Sequence, residues 1–250
     1  MNEIFSKYAD YYDALYKDKN YSKESDYIEK IINKFAGKKL NILELGCGSG
    51  SHAFILQKKG HNIVAVDRSK KMINLAKKKD KKNKIEFLTR DLTKFVSKKK
   101  FDVIILLFHV INFLPTKKDL EIFSKNSYKN LKKSGIIVFD FINYDGVVSD
   151  KPQKKIKIEN KKNLRIIRET EPELIQDKNL LNIKFKMKIK KKNCIVDEFQ
   201  ETHKLKMHSI LNIKKLFNSN FKLINIFKWM KFKTLLKNDW FGLIVFKKIK

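Results

Sequence analysis

The sequence predicts an α/β fold in which helices cover both faces of a doubly wound, mostly parallel sheet of seven strands. Short apolar runs alternate with helical segments through the first 150 residues, which is the order typical of parallel strands. A second pattern, with apolar residues at every other position, runs from Lys154 to Lys206 and indicates antiparallel strands. We therefore expect a parallel core with an inserted antiparallel β cap.

A glycine-rich turn directly follows the first apolar run, residues 42–45. Gly46, Gly48 and Gly50 let the backbone turn tightly and approach a ligand, and a helix is expected from about Ser51. A dinucleotide-binding loop of the Gly-x-Gly-x-x-Gly type would need glycine where Ser51 stands. The spacing therefore disfavours a nicotinamide or flavin enzyme and fits S-adenosylmethionine better.

Two further strands end in acidic residues, where a doubly wound fold binds its ligand. Asp67 follows the strand at 62–66 and is placed to accept hydrogen bonds from both ribose hydroxyls. Asp91 follows the strand at 85–89 and can accept from an adenine amino group. Met72, on the intervening helix, is expected near the adenine.

The remaining elements complete the sheet and the cap. They are a fourth strand at 101–107, a helix at 117–131, a turn at 133–135, a fifth strand at 136–141, a cap hairpin turn at 191–193, a helix at 210–218, and an antiparallel pair at 221–227 and 240–246. The chain is accordingly divided into an N-terminal helical lid (1–36), a cofactor-binding core (37–150), the cap insertion (151–207) and the C-terminal part of the core sheet (208–250).

Three motifs follow one another along the chain: residues 44–50 (Glu-Leu-Gly-Cys-Gly-Ser-Gly), Asp67 and residues 90–92 (Arg-Asp-Leu). With them the chain resembles the class I S-adenosylmethionine-dependent methyltransferases, whose core is the Rossmann-like sheet expected above. Four looser segments resemble small-molecule methyltransferases of polysaccharide and nucleotide-sugar synthesis, and more distantly the N-methyltransferases of dimethylamino sugars. These segments are residues 8–13, 107–112, 201–207 and 239–246.

The resemblance implies S-adenosylmethionine as cofactor, a small acceptor such as a nucleotide-linked sugar, and a cap that selects the acceptor or builds a homodimer. The expected cofactor-binding residues are Tyr8, Tyr16, Glu44, Gly46, Cys47, Gly48, Ser49, Gly50, Asp67, Arg68, Met72, Asp91, Leu92 and Phe108. Cys47 is interpreted as a small spacer rather than a nucleophile. No metal site is expected.

His109 and Tyr8 are the expected catalytic residues. His109 follows the fourth strand, where an imidazole can deprotonate a hydroxyl or take a proton from an ammonium near neutral pH. The alternative for His109 is a hydrogen bond to the backbone that only shapes the pocket. Tyr8 and Tyr16 belong to an aromatic run at 5–16 that is expected to fold over the cofactor as a lid, or else to pack within a helix. Nitrogen and oxygen acceptors both remain open.

Four polar residues of the cap segment are either pocket residues or part of a solvated face: Arg165, Arg168, Glu169 and His203. A solvated position is favoured for Arg165. The run Leu-Phe-His-Val at 107–110 lacks the Asn/Asp-Pro-Pro-Tyr/Phe pattern of enzymes that methylate exocyclic amino groups of bases, which argues against DNA adenine methylation.

The net charge of +30 raises the possibility of a nucleic-acid partner. Only four of the 57 basic residues are arginine, and the lysines are scattered, so compositional drift is the preferred explanation. An RNA or protein methyltransferase is the first alternative function, and a catalytically silent subunit that keeps the cofactor fold is the second.

Length, cysteine content and hydropathy bound the remaining possibilities. A chain of 250 residues can bury one core and a small cap, and two cysteines give no disulfide framework. The absence of a signal peptide and of a run of about 18 apolar residues predicts a cytoplasmic protein without a membrane span.

Overall fold

The computed structural model describes residues 5–161, 163–192 and 194–249. In chain order its strands are β1 (Asn41–Leu45), β2 (Asn62–Asp67), β3 (Glu86–Thr89), β4 (Phe101–Leu106), β5 (Leu131–Ile142), β6 (Lys155–Lys161), β7 (Leu164–Ile175), β8 (Leu180–Lys191), β9 (Cys194–Lys206), β10 (Phe221–Lys228) and β11 (Phe241–Lys248). The helices are α1 (Ala9–Leu15), α2 (Tyr21–Phe35), α3 (Ser51–Lys58), α4 (Lys70–Lys79), α5 (Lys117–Asn130), α6 (Tyr144–Ser149) and α7 (Ile210–Phe217).

Side-chain caps mark the starts of several helices. The Ser69 hydroxyl accepts from the Met72 N–H at the start of α4, and Thr116 and Asp119 form a reciprocal capping box at the start of α5. Within the described residues, no helix combines the length and apolar character needed to cross a bilayer.

The core sheet has the strand order β10-β11-β5-β4-β1-β2-β3, and β11 runs antiparallel to both β5 and β10. The pairs β1–β2, β2–β3, β1–β4 and β4–β5 are parallel. The strand order reverses beside β1, which has β2 on one side and β4 on the other, and ligands of such sheets bind at the carboxyl ends beside this point. The prediction of a Rossmann-like, doubly wound, mostly parallel seven-stranded sheet is confirmed.

The core lies on both faces of this sheet. Along β1, Ile42 faces a layer that contains Ile28 of α2, whereas Leu43 and Leu45 face a layer that contains Phe123 of α5. Strands buried on both faces need continuous apolar runs, which is why the core strands were visible in the sequence.

The cap is an antiparallel sheet of strand order β6-β7-β8-β9, inserted between α6 and α7. Its inner face packs Ile166, Phe185 and Met187 against Tyr8 and Leu15 at the lid. The inserted antiparallel cap is therefore confirmed. The hairpin turn predicted at 191–193 includes Asn193, which lies outside the described residues.

The predicted turn at 133–135 is wrong, because these residues are part of β5. Ser134 takes a left-handed backbone (φ 62°), and the pairing with β4 shifts between Phe101, opposite Leu131, and Val103, opposite Ile136. Between these two pairs β5 has more residues than β4, and its additional residues form a bulge. Because Leu131 already pairs with β4, β5 begins directly after α5.

Candidate active site

The glycine loop, residues 46–50, joins β1 to α3 and is held by two neighbouring segments. The N–H groups of Gly46 and Cys47 both donate to the carbonyl oxygen of Val66, at 2.7 and 3.0 Å. Gly46 has a φ of 74°, and a Cβ built on it would lie 2.5 Å from two methyl carbons of Val110. Glycine is therefore required at position 46 both by its conformation and by the close approach of the segment after β4.

Asp67 ends β2 with its carboxylate already oriented. Its Oδ2 accepts from the Gly48 N–H and its Oδ1 accepts from the Ser69 N–H, both at 2.8 Å. Burial raises the pKa of Asp67 above its ordinary value, and the two N–H donors oppose that shift. A Cβ on Gly48 would have no other atom within 4 Å, so the loop borders open space next to this carboxylate.

A cavity of about 300 Å³ lies at the carboxyl ends of β1 to β4, beneath the N-terminal segment. Ten of the predicted cofactor-binding residues line it: Gly46, Cys47, Gly48, Ser49, Asp67, Arg68, Met72, Asp91, Leu92 and Phe108. The other lining residues were not among the predicted cofactor-binding residues; they are Phe5, Tyr12, Tyr21, Ser51, His52, Arg90, Thr93, Leu107, Val110, Phe113, Leu114, Pro115 and Asp119.

Asp91 can bind only through one of its oxygens. Its Oδ1 accepts from both the N–H and the hydroxyl of Thr93, at 2.8 and 2.6 Å. Its Oδ2 has no hydrogen-bond partner among the described residues, and it is the acceptor that remains for a ligand. The apolar side chains of Leu92 and Phe108 line the same cavity and can enclose a flat ring.

The N-terminal lid covers one side of the cavity and is fastened to the glycine loop. Asp13 accepts from the Ser49 hydroxyl at 2.6 Å and pairs with Lys79 of α4 at 2.7 Å. Tyr12 of α1 and Tyr21 of α2 line the cavity. Burial raises the pKa of Tyr12 well above its ordinary value, so this phenol stays protonated.

Four predicted cofactor residues do not line the cavity. Gly50 packs against Phe54 and Phe87 at the start of α3. Tyr8 and Tyr16 lie behind the cavity wall, with their hydroxyl oxygens 3.3 Å apart, and Arg168 donates to both. The fourth is Glu44.

Glu44 is a buried carboxylate beneath the glycine loop. Its Oε2 has no hydrogen-bond partner among the described residues, and its Oε1 lies 4.0 Å from His52 Nδ1. Burial, reinforced by the negative charge of Asp67, raises the pKa of Glu44 to about 8.

His109 stands beside the cavity rather than in its lining. Its N–H donates to both oxygens of Asp140, at 3.0 and 3.1 Å, and its φ is 63°. His109 Nδ1 lies 2.8 Å from Asp140 Oδ2, although outside hydrogen-bond geometry, and the ring stacks on Phe241 at 4.6 Å. The neighbours of His109 on both sides, Phe108 and Val110, do line the cavity.

The structure separates the polar cap residues. Arg165 is exposed, as favoured from the sequence, and Glu169 alternates with the inward-facing Arg168 on β7. His203 is only 5% exposed and bonds Glu201 at 2.7 Å. Its ring lies 4.6 Å from that of Phe5, so His203 stands behind the cavity wall and not on a solvated face.

Residues 42–135 match the family model described as a methyltransferase domain. This segment resembles a methyltransferase domain. Among curated relatives, malonyl-(acyl-carrier protein) O-methyltransferase of Priestia megaterium is 34% identical over 143 residues, which are 56% of this chain and 50% of the relative. The chain spans about half the length of the curated relatives it matches.

Solved structures resemble this chain over nearly its whole length. An S-adenosylmethionine-dependent methyltransferase from Clostridium acetobutylicum is 21% identical and covers 98% of both chains, with a TM-score of 0.81. The sugar N-methyltransferase KedS8 from Streptoalloteichus is 15% identical over 96% of this chain and 93% of its own, with a TM-score of 0.81. The amino pentose methyltransferase CalS10 from Micromonospora echinaspora, solved with S-adenosylmethionine bound, is 17% identical over 99% of both chains, with a TM-score of 0.74. At these identities the likeness shows the fold.

S-adenosylmethionine is the cofactor that both the domain and the pocket fit. Asp67 has an oriented carboxylate for ribose hydroxyls, Asp91 Oδ2 is a remaining acceptor for an adenine amino group, and the space beside Gly48 is open. Glu44 Oε2 is buried beneath the glycine loop without a hydrogen-bond partner among the described residues. It therefore also favours a ligand that carries hydrogen-bond donors near Glu44.

Proposed function

We propose that this protein transfers a methyl group from S-adenosylmethionine to a nitrogen or oxygen of a small acceptor, specifically a nucleotide-linked sugar or another glycan precursor. The observation that carries the choice of a small acceptor is the lid over the cavity, which is bonded on two sides. The sugar N-methyltransferase and amino pentose methyltransferase of like fold support the sugar.

On the cap side, several contacts hold the lid. The Phe5 N–H donates to Glu201 Oε1 at 2.6 Å, and Lys7 Nζ lies 3.0 Å from Asp197 Oδ1. Lys157 of β6 donates to the carbonyl oxygen of Leu15 at 2.6 Å. With Asp13 bonded to the glycine loop on the other side, a polymer would have to displace the lid, whereas a small acceptor fits beneath it.

When bound, S-adenosylmethionine supplies an electrophilic methyl group on a sulfonium sulfur. Because the leaving sulfide needs no acid, positioning by the chain can supply most of the rate. The rings of Tyr12 and Phe108 exclude water from the cavity. For a hydroxyl acceptor, His109 Nε2 would take the proton; for an ammonium, the same atom would generate the neutral amine.

The test is turnover on defined acceptors. The purified protein is incubated with S-adenosylmethionine and a panel of nucleotide-linked amino and hydroxy sugars, with bulk RNA in parallel. Release of S-adenosylhomocysteine and product mass are followed. Asp67→Ala serves as the cofactor-site variant, and Asp177→Ala, at an exposed carboxylate of the cap that does not line the cavity, serves as the matched control.

A mass gain of one or two methyl groups on a sugar nucleotide, lost in Asp67→Ala and kept in Asp177→Ala, is the expected result. Turnover only with RNA would overturn the small-acceptor proposal and show that the +30 charge is functional. S-adenosylhomocysteine binding without turnover on any acceptor would favour the silent subunit.

A further inference from the structure

A single arginine of the cap is sheltered against the lid. Arg168 lies on the inner face of β7, and its guanidinium carbon is 5.5 Å from the ring centre of Tyr16 and 5.2 Å from that of Phe185. It is half-buried, whereas Arg165 on the same strand is exposed. A guanidinium is always charged, and sheltering it from water has a desolvation cost. The groups that contact Arg168 must offset that cost.

Arg168 has no carboxylate partner among the described residues. Its Nη1 donates to the hydroxyl oxygens of Tyr8 and Tyr16, at 2.8 and 3.2 Å, and neither partner is a carboxylate. Burial raises the pKa of Tyr8 well above its ordinary value, so this phenol does not become a counter-ion. The positive charge of Arg168 is therefore uncompensated within the described protein.

Several donors around Arg168 also lack acceptors. Its Nε is buried without a partner, and so is the hydroxyl of Thr170, two residues along the same face of β7. The hydroxyl oxygens of Tyr8 and Tyr16 lie 3.3 Å apart, so only one can donate to the other, and the second O–H stays available. A cluster with N–H and O–H donors, a positive charge and no carboxylate matches the oxygens of an anion.

This cluster, Arg168 with Tyr8 and Tyr16, lies one side chain away from the cavity. The Tyr16 ring meets the Phe108 ring edge-on at 5.3 Å and lies 4.7 Å from the Tyr12 ring. Both Phe108 and Tyr12 line the cavity. An acceptor with its reactive atom in the cavity and an anionic group under the cap would reach both places.

We propose that Arg168 and the hydroxyls of Tyr8 and Tyr16 form a subsite for a phosphate group of the acceptor, between the lid and the cap. This inference rests on the proposed function, because it assigns the phosphate to the methyl acceptor. The carboxylate of the cofactor has the same anionic oxygens, and the experiment separates the two sources.

The experiment uses calorimetry on the full chain with two probes, inorganic pyrophosphate and S-adenosylhomocysteine. Pyrophosphate is titrated into protein saturated with S-adenosylhomocysteine, for the parent protein, Arg168→Gln, Arg168→Lys and Arg165→Gln. Arg165→Gln removes the same charge from the exposed face of β7 and controls for the general attraction of a basic surface. Tyr16→Phe, which keeps the ring and removes the hydroxyl, provides a variant with a smaller structural change.

We expect Arg168→Gln to weaken pyrophosphate binding by about tenfold or more and Tyr16→Phe by about threefold, since hydrogen bonds to charged groups contribute more than neutral ones. Arg168→Lys should restore part of the affinity, and Arg165→Gln should match the parent. Affinity for S-adenosylhomocysteine should be unchanged in all variants, which also shows that they fold.

Equal pyrophosphate affinity in the parent and Arg168→Gln would overturn the proposal, as would a parent protein that does not bind pyrophosphate. A loss of S-adenosylhomocysteine affinity in both Arg168→Gln and Tyr16→Phe would overturn it by assigning the cluster to the cofactor carboxylate. Turnover on sugar nucleotides is measured separately, so a failure of the proposed function is distinguishable from a failure of this subsite.

Discussion

Asp140 accepts the backbone N–H of His109 with both of its carboxylate oxygens, while its Oδ2 lies 2.8 Å from the Nδ1 atom of the same residue. Asp140 is 1% exposed and projects from β5, the strand next to the one that leads into His109. Left-handed backbone is uncommon for residues other than glycine, and this buried acceptor stabilises it at His109. Asp140 thus fixes the backbone from which the His109 imidazole projects.

Asp140→Asn should lower kcat by about ten- to a hundredfold, because the amide has one acceptor where the carboxylate has two, and a misplaced base loses its alignment. Affinity for S-adenosylhomocysteine should stay unchanged. Steady-state kinetics with the acceptor measure kcat, and calorimetry measures the affinity for S-adenosylhomocysteine. In a His109→Ala background the Asp140→Asn substitution should have no further effect on kcat; a full additional loss would mean that Asp140 acts on something other than His109.

His109→Ala should slow transfer to a hydroxyl acceptor by about a hundredfold or more, in line with the usual contribution of a general base, and should leave cofactor affinity unchanged. Transfer to an amine that is already neutral should fall much less. Single-turnover rates with matched hydroxy and amino sugar nucleotides measure the difference. Equal rates for the variant and the parent on both acceptors would remove the proton-transfer role.

Asp67→Ala should weaken S-adenosylhomocysteine binding by about thirtyfold or more, because the carboxylate is held by Gly48 and Ser69 in the orientation that two ribose hydroxyls require. Calorimetry gives the affinity directly. Asp177→Ala removes an exposed carboxylate of the cap and should bind like the parent. Unchanged affinity in Asp67→Ala would contradict the assignment of the ribose end of the cavity.

Two glycines of the loop should respond in opposite ways to alanine. Gly46→Ala should destabilise the protein by about 2 to 4 kcal/mol, because its Cβ would overlap Val110. Gly48→Ala should cost only about 1 kcal/mol of stability and yet weaken cofactor binding by roughly tenfold or more, because its Cβ enters open space reserved for the ligand. Gly37→Ala, also at positive φ with no atom within 4 Å of its Cβ, controls for the backbone cost.

Urea unfolding and calorimetry on the three variants separate these effects. A Gly48→Ala protein that binds S-adenosylhomocysteine like Gly37→Ala would show that the open space beside the loop is not used by the cofactor.

The predicted site residues that line the cavity are those whose place follows from local pattern and sheet topology. The glycine loop and Asp67 both follow continuous apolar strands, and parallel strands bring their carboxyl ends to one edge. Tyr8, Tyr12 and Tyr16 share one helical spacing, so the sequence could not tell that Tyr12 faces the cavity and the other two face Arg168. That choice depends on how the lid docks against the cap.

The other features that the sequence did not predict, the sheltering of two cap residues and the bulge in β5, depend on contacts between segments that are distant in the chain. Arg168 and His203 stand on strands with ordinary two-residue alternation, and only the packing of the cap on the lid shelters them. The bulge at Ser134 depends on the β4–β5 register, which is likewise set by the sheet as a whole.

Glu44 should make the stability of the cofactor-free protein depend on pH. Its folded pKa of about 8 lies above its ordinary value of 4.5, so between these limits the folded state holds a proton that the unfolded chain releases. The unfolding free energy contributed by this group therefore falls as pH rises through that range and is level above about pH 8. Other groups, such as His208, whose pKa is lowered by burial, contribute in the opposite direction.

The comparison with Glu44→Gln isolates this effect, because glutamine copies the protonated carboxyl and does not titrate. The variant should gain stability over the parent steadily from about pH 5 to about pH 8, by on the order of 1 to 4 kcal/mol in total, given about 1.4 kcal/mol for each pKa unit. Urea unfolding at a series of pH values, with the exposed Glu198→Gln as control, measures the difference. Parallel curves for parent and Glu44→Gln would mean that Glu44 is ionised in the folded protein and has a donor within reach.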